Sequence, residues 1–535
     1  MQQYLDMLNR ITIAIIYLLL FLQQATGQIT DKSLLVDTTI YFDELVFNSD
    51  YEKNTFKEIY FNDSKDYFSL IYLAHGKANK DEVQQSRAKL YTKIASYKSK
   101  NIKAKGEKKS IKIIYKDVHN EFFTKYELIN HFENVFDRGY YNCLSATFIY
   151  SLIMEELEIP YQINILPSHV NLTTYPETHQ ILIETTDPIK GYIKYDKKFK
   201  EDYVNNLVAY KLIEEDEAKI NSIDNLFEKY YSSKEVVTIK QLVGTQYSNE
   251  GVYLLEDEKM EEAIVKLEKS IALYPSTTTA KILMLLYSKM ILKADFSEEK
   301  NLDYLIKMSR YRELRRDMDE GLIIEFGNIA DNYLIEKGDT STFNLAYKKL
   351  LPCVVSENSI NRFEYIYLAA FGEYFFQDLK YREASVYFLD ALNLVGDTNN
   401  LEDNYIRSVV LQLSGMTNMT EVIDVMDNTE KDYPNSKKNN MFMTAKSRML
   451  TFLMTMSFEQ NRVADGEKYR KELEGILSMD GIHKDEKSIG MAYSEAGSCY
   501  FRRGSRSKAR VLLNRGLEYA PGDYELETRL KMLNY

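Results

Sequence analysis

"NEGVYLLEDEKMEEAIVKLEKSIALYPS", residues 249–276, pairs a small residue with a second small residue twelve positions on: Gly251 and then Ala263. Leu267 follows four later, Pro275 closes the stretch, and polar "LEDEKM" sits in the middle. Two amphipathic helices joined by a tight turn have this grammar. The small pair lets the axes approach, the large apolar residue fills the groove, and proline stops the second helix. The pattern recurs twice. "FGEYFFQDLKYREASVYFLDAL", residues 371–392, carries Gly372, Ala384 and Phe388. "EAGSCYFRRGSRSKARVLLNRGLEYAP", residues 495–521, carries Gly497, Ala509, Leu513 and Pro521. Three matches in one spacing predict a helical repeat, with frames 244–277, 365–398 and 490–523.

These units resemble tetratricopeptide repeats of about 34 residues. The gaps between the frames are also helically patterned, and each has room for two or three degenerate copies. The resemblance implies an all-α solenoid over 236–535, with a groove that takes a protein or peptide partner.

Residues 28–235 read differently. Short β-like runs, "IKIIY" at 111–115, "YQINIL" at 161–166, "QILIETT" at 180–186 and "GYIKY" at 191–195, lie among helical patterns. This predicts one α+β domain. The polar, basic stretch 98–109 reads as a solvated connection, and "SKEVVTIKQ", from Ser233, as the lead into the repeats.

A chain of 535 residues exceeds one ordinary core, and its charged fraction of 28% and hydrophobic fraction of 45% are those of a folded protein. The net charge of −12 argues against a nucleic-acid partner, which needs a basic face. At the start, "ITIAIIYLLLFL" at 11–22 is uncharged and apolar, and small residues follow at Ala25–Gly27. It reads as a signal peptide over 1–27, hence an exported, periplasmic or extracellular protein, with membrane contact only if that segment is retained. Three cysteines, Cys143, Cys353 and Cys499, are too few for a disulfide framework.

Cys143 stands at the start of "CLSATFIYSLIMEELEIP", after turn-prone "DRGYYN". Apolar residues then recur at helical spacing until Pro160. A thiol at a helix N-terminus feels the positive end of the dipole, which favours the thiolate that a nucleophile requires. A base and an orienting group are also needed. Downstream, "LPSHVNLTTYPETHQILIETTDP" has two extended runs around "YPET". A hairpin centred there sets Tyr175 against Ile181, Thr173 against Ile183 and His169 against Asp187. Histidine and carboxylate then share one face of the sheet.

This set of motifs, "YNCLSA", "PSHV" and "IETTDP", resembles the transglutaminase-like superfamily, whose core is shared with papain-like cysteine proteases. The resemblance covers 117–195. It implies Cys143 as nucleophile, His169 as base and Asp187 as its orienter. Tryptophan, frequent near those positions in the family, is absent from this chain. The function implied is a cysteine-dependent acyl transfer: peptide or amide hydrolysis, or transglutaminase-like cross-linking. The alternative is a catalytically silent domain in a repeat scaffold. His179 competes with His169 but lies eight residues before Asp187 on the same strand. His119 and His131 read as helix-surface or core residues, and Cys353 and Cys499 as packing in repeat helices. "RYRELRR", 310–316, reads as a solvated helix face. No metal-ligand spacing and no glycine-rich phosphate loop occurs, so no cofactor is expected.

Overall fold

The computed structural model describes residues 40–166, 169–185 and 235–533 apart from 397–399, with shorter pieces between 192 and 231. The apolar run 11–22 and Asp187 lie outside the described residues. The described chain is mostly helical with a small sheet region, and it falls into two compact units divided after Met318.

In the first unit, seven short strands occur among the described residues: β1 (Lys125–Tyr126), β2 (Tyr140–Tyr141), β3 (Tyr161–Leu166), β4 (His169–Thr174), β5 (Ile181–Ile183), β6 (Tyr192–Ile193) and β7 (Glu235–Val237). β1 and β2 form a parallel pair; the other five make an antiparallel sheet in the order β6-β5-β4-β3-β7. The Cys143–Glu156 helix packs on β3 and β4. Leu144 through Met154 are all buried, so this helix has no solvent face and is the centre of the unit. Its polar residues are satisfied locally: Thr147 Oγ1 donates to the Val170 carbonyl at 3.1 Å, and Ser151 Oγ to the Thr147 carbonyl at 2.8 Å.

Two expectations are corrected here. "IKIIY" is helical, inside Glu107–Phe122. Ile111, Ile114, Tyr115, Val118 and Phe122 are its buried stripe, a period of 3.6 that the local β-branched run conceals. "SKEVVTIKQ" is more than a lead-in. Its centre is β7, which pairs with β3, and Thr238 then caps the Ile239–Glu256 helix. The sheet therefore delivers that helix to the core of the first unit. Tyr247 and Lys269, from the Ile239–Glu256 and Met260–Leu273 helices, close on the buried carboxylate of Glu52. The 98–109 stretch is largely exposed, as expected, with Ile102 its one fully buried side chain.

From 239 onward the described chain runs as helical hairpins. The first unit holds 239–256 with 260–273, and 277–291 with 299–309. Onward from the unit boundary come pairs that begin at 318, 357, 401, 440 and 486, and then a closing Tyr524–Met532 helix. Ala263, Ala384 and Ala509 are fully buried, as the spacing requires. A Cβ added to Gly251, Gly372 or Gly497 would come within 2.7–2.8 Å of Leu267, Phe388 or Leu513 respectively, so each groove is filled by the residue four after the alanine. Gly466 takes the alanine position in the 440–477 hairpin, which lacks the first glycine.

The turns follow one rule as well. Glu258, Leu379, Asn461 and Gly504 each have a positive φ of 60–76° two residues past the first helix. The next N–H reaches back, as from Lys380 to the Phe375 carbonyl at 2.9 Å, closing a left-handed helix cap. Leu379 is exposed and gains nothing there to offset its strain. Leu379→Gly should raise stability by about 0.5–1 kcal/mol, the relief of about 1–2 kcal/mol less the entropy glycine adds to the unfolded chain. Denaturant melts of the two proteins measure it.

Candidate active site

The loop into the Cys143 helix is fixed from both sides. Asn142 Oδ1 accepts the Ser145 N–H at 2.9 Å, and Ser145 Oγ accepts the Asn142 N–H at 2.9 Å. This reciprocal cap sets the first turn. Asn142 Nδ2 also donates to the Leu128 carbonyl at 3.3 Å, tying the loop after β1 to the helix start. Cys143 follows as the first helical residue, half-buried and not in a disulfide. Thr185 Oγ1 donates to its carbonyl at 3.4 Å.

His169 opens β4 beside it. Its ring hydrogen bonds Glu184 and lies in the field of Cys143. Nε2 is 2.7 Å from Glu184 Oε1. Burial opposes a charge on this ring. The interactions with Cys143 and Glu184, with the negative charge those groups carry, outweigh it and push the His169 pKa up to about 10. The ring is therefore an imidazolium at neutral pH.

Glu184 was not read from the sequence as part of the site. The hairpin pairs Thr174 with Ile181, Thr173 with Leu182 and Leu172 with Ile183, one step from the expected register. Such a step exchanges the two faces. Glu184, just past the paired residues, is the carboxylate that meets His169. The cause is the loop. Tyr175 and Gln180 both have positive φ, and the Gln180 N–H bonds the Tyr175 carbonyl at 2.9 Å, so six residues, 175–180, lie between the paired ends. His179 falls in this loop and pairs with Glu107, away from the sulfur. Asp187 itself lies outside the described residues.

Two tyrosines also converge. Tyr126, paired with Tyr141 across β1 and β2, lies in the field of Cys143. Burial chiefly, then the negative charge of Cys143 and Glu184, pushes its phenol up to about 12, so it remains an O–H donor. Tyr253, from the Ile239–Glu256 helix, is raised by burial and lies in the field of both Glu250 and Cys143. Behind the site, Tyr115 Oη donates to the Glu184 carbonyl at 3.3 Å and meets His119 Nε2 at 3.1 Å. His119 is buried and bonded also to Tyr150 at 2.7 Å, a core residue as expected. Nothing in the sequence near "HNEFF" or "TKYEL" marks these partners, because strand pairing and helix packing bring them together.

Cys499 is buried in its repeat helix, and Cys353 lies half-buried just past one. Arg310 of the 310–316 cluster forms a two-pronged ion pair with Glu44, at 2.5 and 2.6 Å, and is not a solvated helix face. No helix among the described residues is long and apolar enough to cross a membrane.

No protein-family model matches the chain, and no curated protein is similar to it.

Proposed function

We propose that this chain is an exported cysteine-dependent acyl-transfer enzyme of transglutaminase-like architecture, and that its helical hairpins are tetratricopeptide-type repeats that bind a protein or peptide. One observation carries the catalytic reading: an imidazole bonded to a carboxylate lies beside a half-buried cysteine at a helix N-terminus. The export reading rests on residues 11–27. The repeat reading rests on the three glycine–alanine pairs and the shared turn geometry.

The chemistry follows from the residues. Cys143 thiolate attacks a carboxamide or peptide carbonyl, forming a C–S bond and an oxyanion. The Cys143 N–H, at the positive end of the helix, and the Tyr126 hydroxyl are the donors beside that oxygen. His169 gives its proton to the departing amine as the tetrahedral adduct collapses to a thioester. The neutral ring then takes a proton from water or an amine, whose attack releases the acyl group and restores the thiolate. Glu184 holds the ring by Nε2 and stabilises its charge.

The test offers the full chain glutamine-containing peptides with and without a primary amine. Ammonia release, peptide cleavage and amine incorporation are followed by mass spectrometry. The expected result is one of these products from wild type and none from Cys143→Ser. Equal product from both proteins overturns the proposal.

A further inference from the structure

Three side chains from distant parts of the sequence converge in the first unit: His75, His131 and Glu250. One ligand atom from each lies within 4.8 Å of the others. The imidazoles stack face to face, with centroids 3.6 Å apart and planes 5° from parallel. Each Nδ1 meets a carboxylate, His131 with Glu250 Oε2 at 2.8 Å and His75 with Glu133 Oε1.

We propose that His75, His131 and Glu250 bind one divalent cation of the zinc class, with Glu133 orienting His75. Four features support it. Two imidazoles and one carboxylate are a donor set that zinc accepts, with a fourth position left for water. Tetrahedral ligands at about 2.0–2.1 Å from a metal stand about 3.3 Å apart, a contraction that side-chain rotation supplies. Glu250 is 2% exposed, and its other oxygen accepts from Gln246 Nε2 at 2.7 Å, so the ligand is held in place. Glu133 Oε2 is buried with no hydrogen-bond partner among the described residues, an oxygen free to turn toward a cation. The carboxylate–histidine pair is also the arrangement that fixes a metal-bound ring.

Nearby cations set the competing arrangement. Lys266 Nζ donates to the Ala74 carbonyl at 2.6 Å and feels Glu133 and Glu250, and Lys77 faces His131. The cation would join three segments: the turn after the Tyr67–Tyr72 helix, the 127–133 loop, and the Ile239–Glu256 helix. The loop already rests on the start of the Cys143 helix, through Asn142 to Leu128 and through Asn130 Nδ2 to the Tyr140 carbonyl at 3.0 Å. The role that follows is bracing of the loop that continues from Tyr126 to the start of the Cys143 helix.

The test is independent of the acyl-transfer reading. It uses untagged full chain carrying Cys143→Ser, so that the thiolate and His169 do not themselves hold the metal. Zinc chloride is titrated by calorimetry, and cobalt(II) is followed by visible absorption. The expected result is one equivalent of zinc. Affinity falls 100-fold or more in His131→Ala and about 10–100-fold in Glu133→Gln, a variant that keeps both rings and the fold. Cobalt should give ligand-field bands without a sulfur charge-transfer band. No zinc uptake, uptake unchanged in both variants, or a sulfur band overturns the proposal.

Discussion

Glu184→Gln should reduce turnover at least about 100-fold, whereas Asp187→Asn should change it less than about fivefold. Replacing a carboxylate that orients a catalytic imidazole costs up to about 10⁴ in other triads, because the neutral amide stabilises the wrong tautomer and no longer offsets the ring's charge. Here that carboxylate is the one 2.7 Å from His169 Nε2. Substrate KM should stay near the wild-type value in Glu184→Gln, since the glutamate touches the ring and not the acyl donor. Steady-state kinetics on the two variants separate the carboxylates. A severe loss in Asp187→Asn with a mild one in Glu184→Gln would reverse the assignment.

Glu52→Ala should destabilise the first unit by about 3–5 kcal/mol, the range for breaking a buried ion pair from one side. Glu52 is 1% exposed and Lys269 fully buried, with Nζ 2.6 Å from Oε1. Burial lowers the lysine to about 8, so at neutral pH it is still charged and needs its partner. Glu52 also accepts from Tyr247 Oη at 3.0 Å and from the Asn48 N–H at 2.8 Å, so its loss strands three donors. The double variant Glu52→Leu with Lys269→Met should recover most of the stability, because neither member of the pair is then left charged without its partner. Urea melts of the single and double variants check both statements.

These two sites show what the sequence reveals and what it conceals. Strand β3 and the Cys143 helix are legible because alternation and helical spacing are local. Cys143 and His169, the proposed nucleophile and base, follow from motif order. The carboxylate does not, because its choice rests on a loop closed by positive φ at Tyr175 and Gln180, neither a glycine. A one-residue difference in loop count shifts which residues stand opposite one another across the hairpin. Helix 107–122 was misread because its buried stripe passes through a β-branched run. The hairpins are legible at the three glycine–alanine pairs and fade where Gly466 stands alone. The His75, His131 and Glu250 cluster has no sequence signature, since its members sit on three separate segments. Glu52 and Lys269, 217 residues apart, join the mixed region to the first hairpin, a link that periodicity cannot show.

The central claim is that His169, held by Glu184, keeps Cys143 reactive as one arm of an ion pair. With a folded pKa of about 10, above the ordinary value of about 6.5, the charged ring stabilises the fold fully below pH 6.5, and that contribution is lost as pH rises through about 10. At pH 6 the imidazolium is therefore fully formed. The most direct measurement is the rate of iodoacetamide labelling of Cys143 at pH 6, read by peptide mass spectrometry, for wild type and His169→Ala. A neighbouring positive charge shifts an acid by about 1–3 units, so wild type should label at least about tenfold faster than the variant. Equal rates for the two proteins at pH 6 would contradict the account.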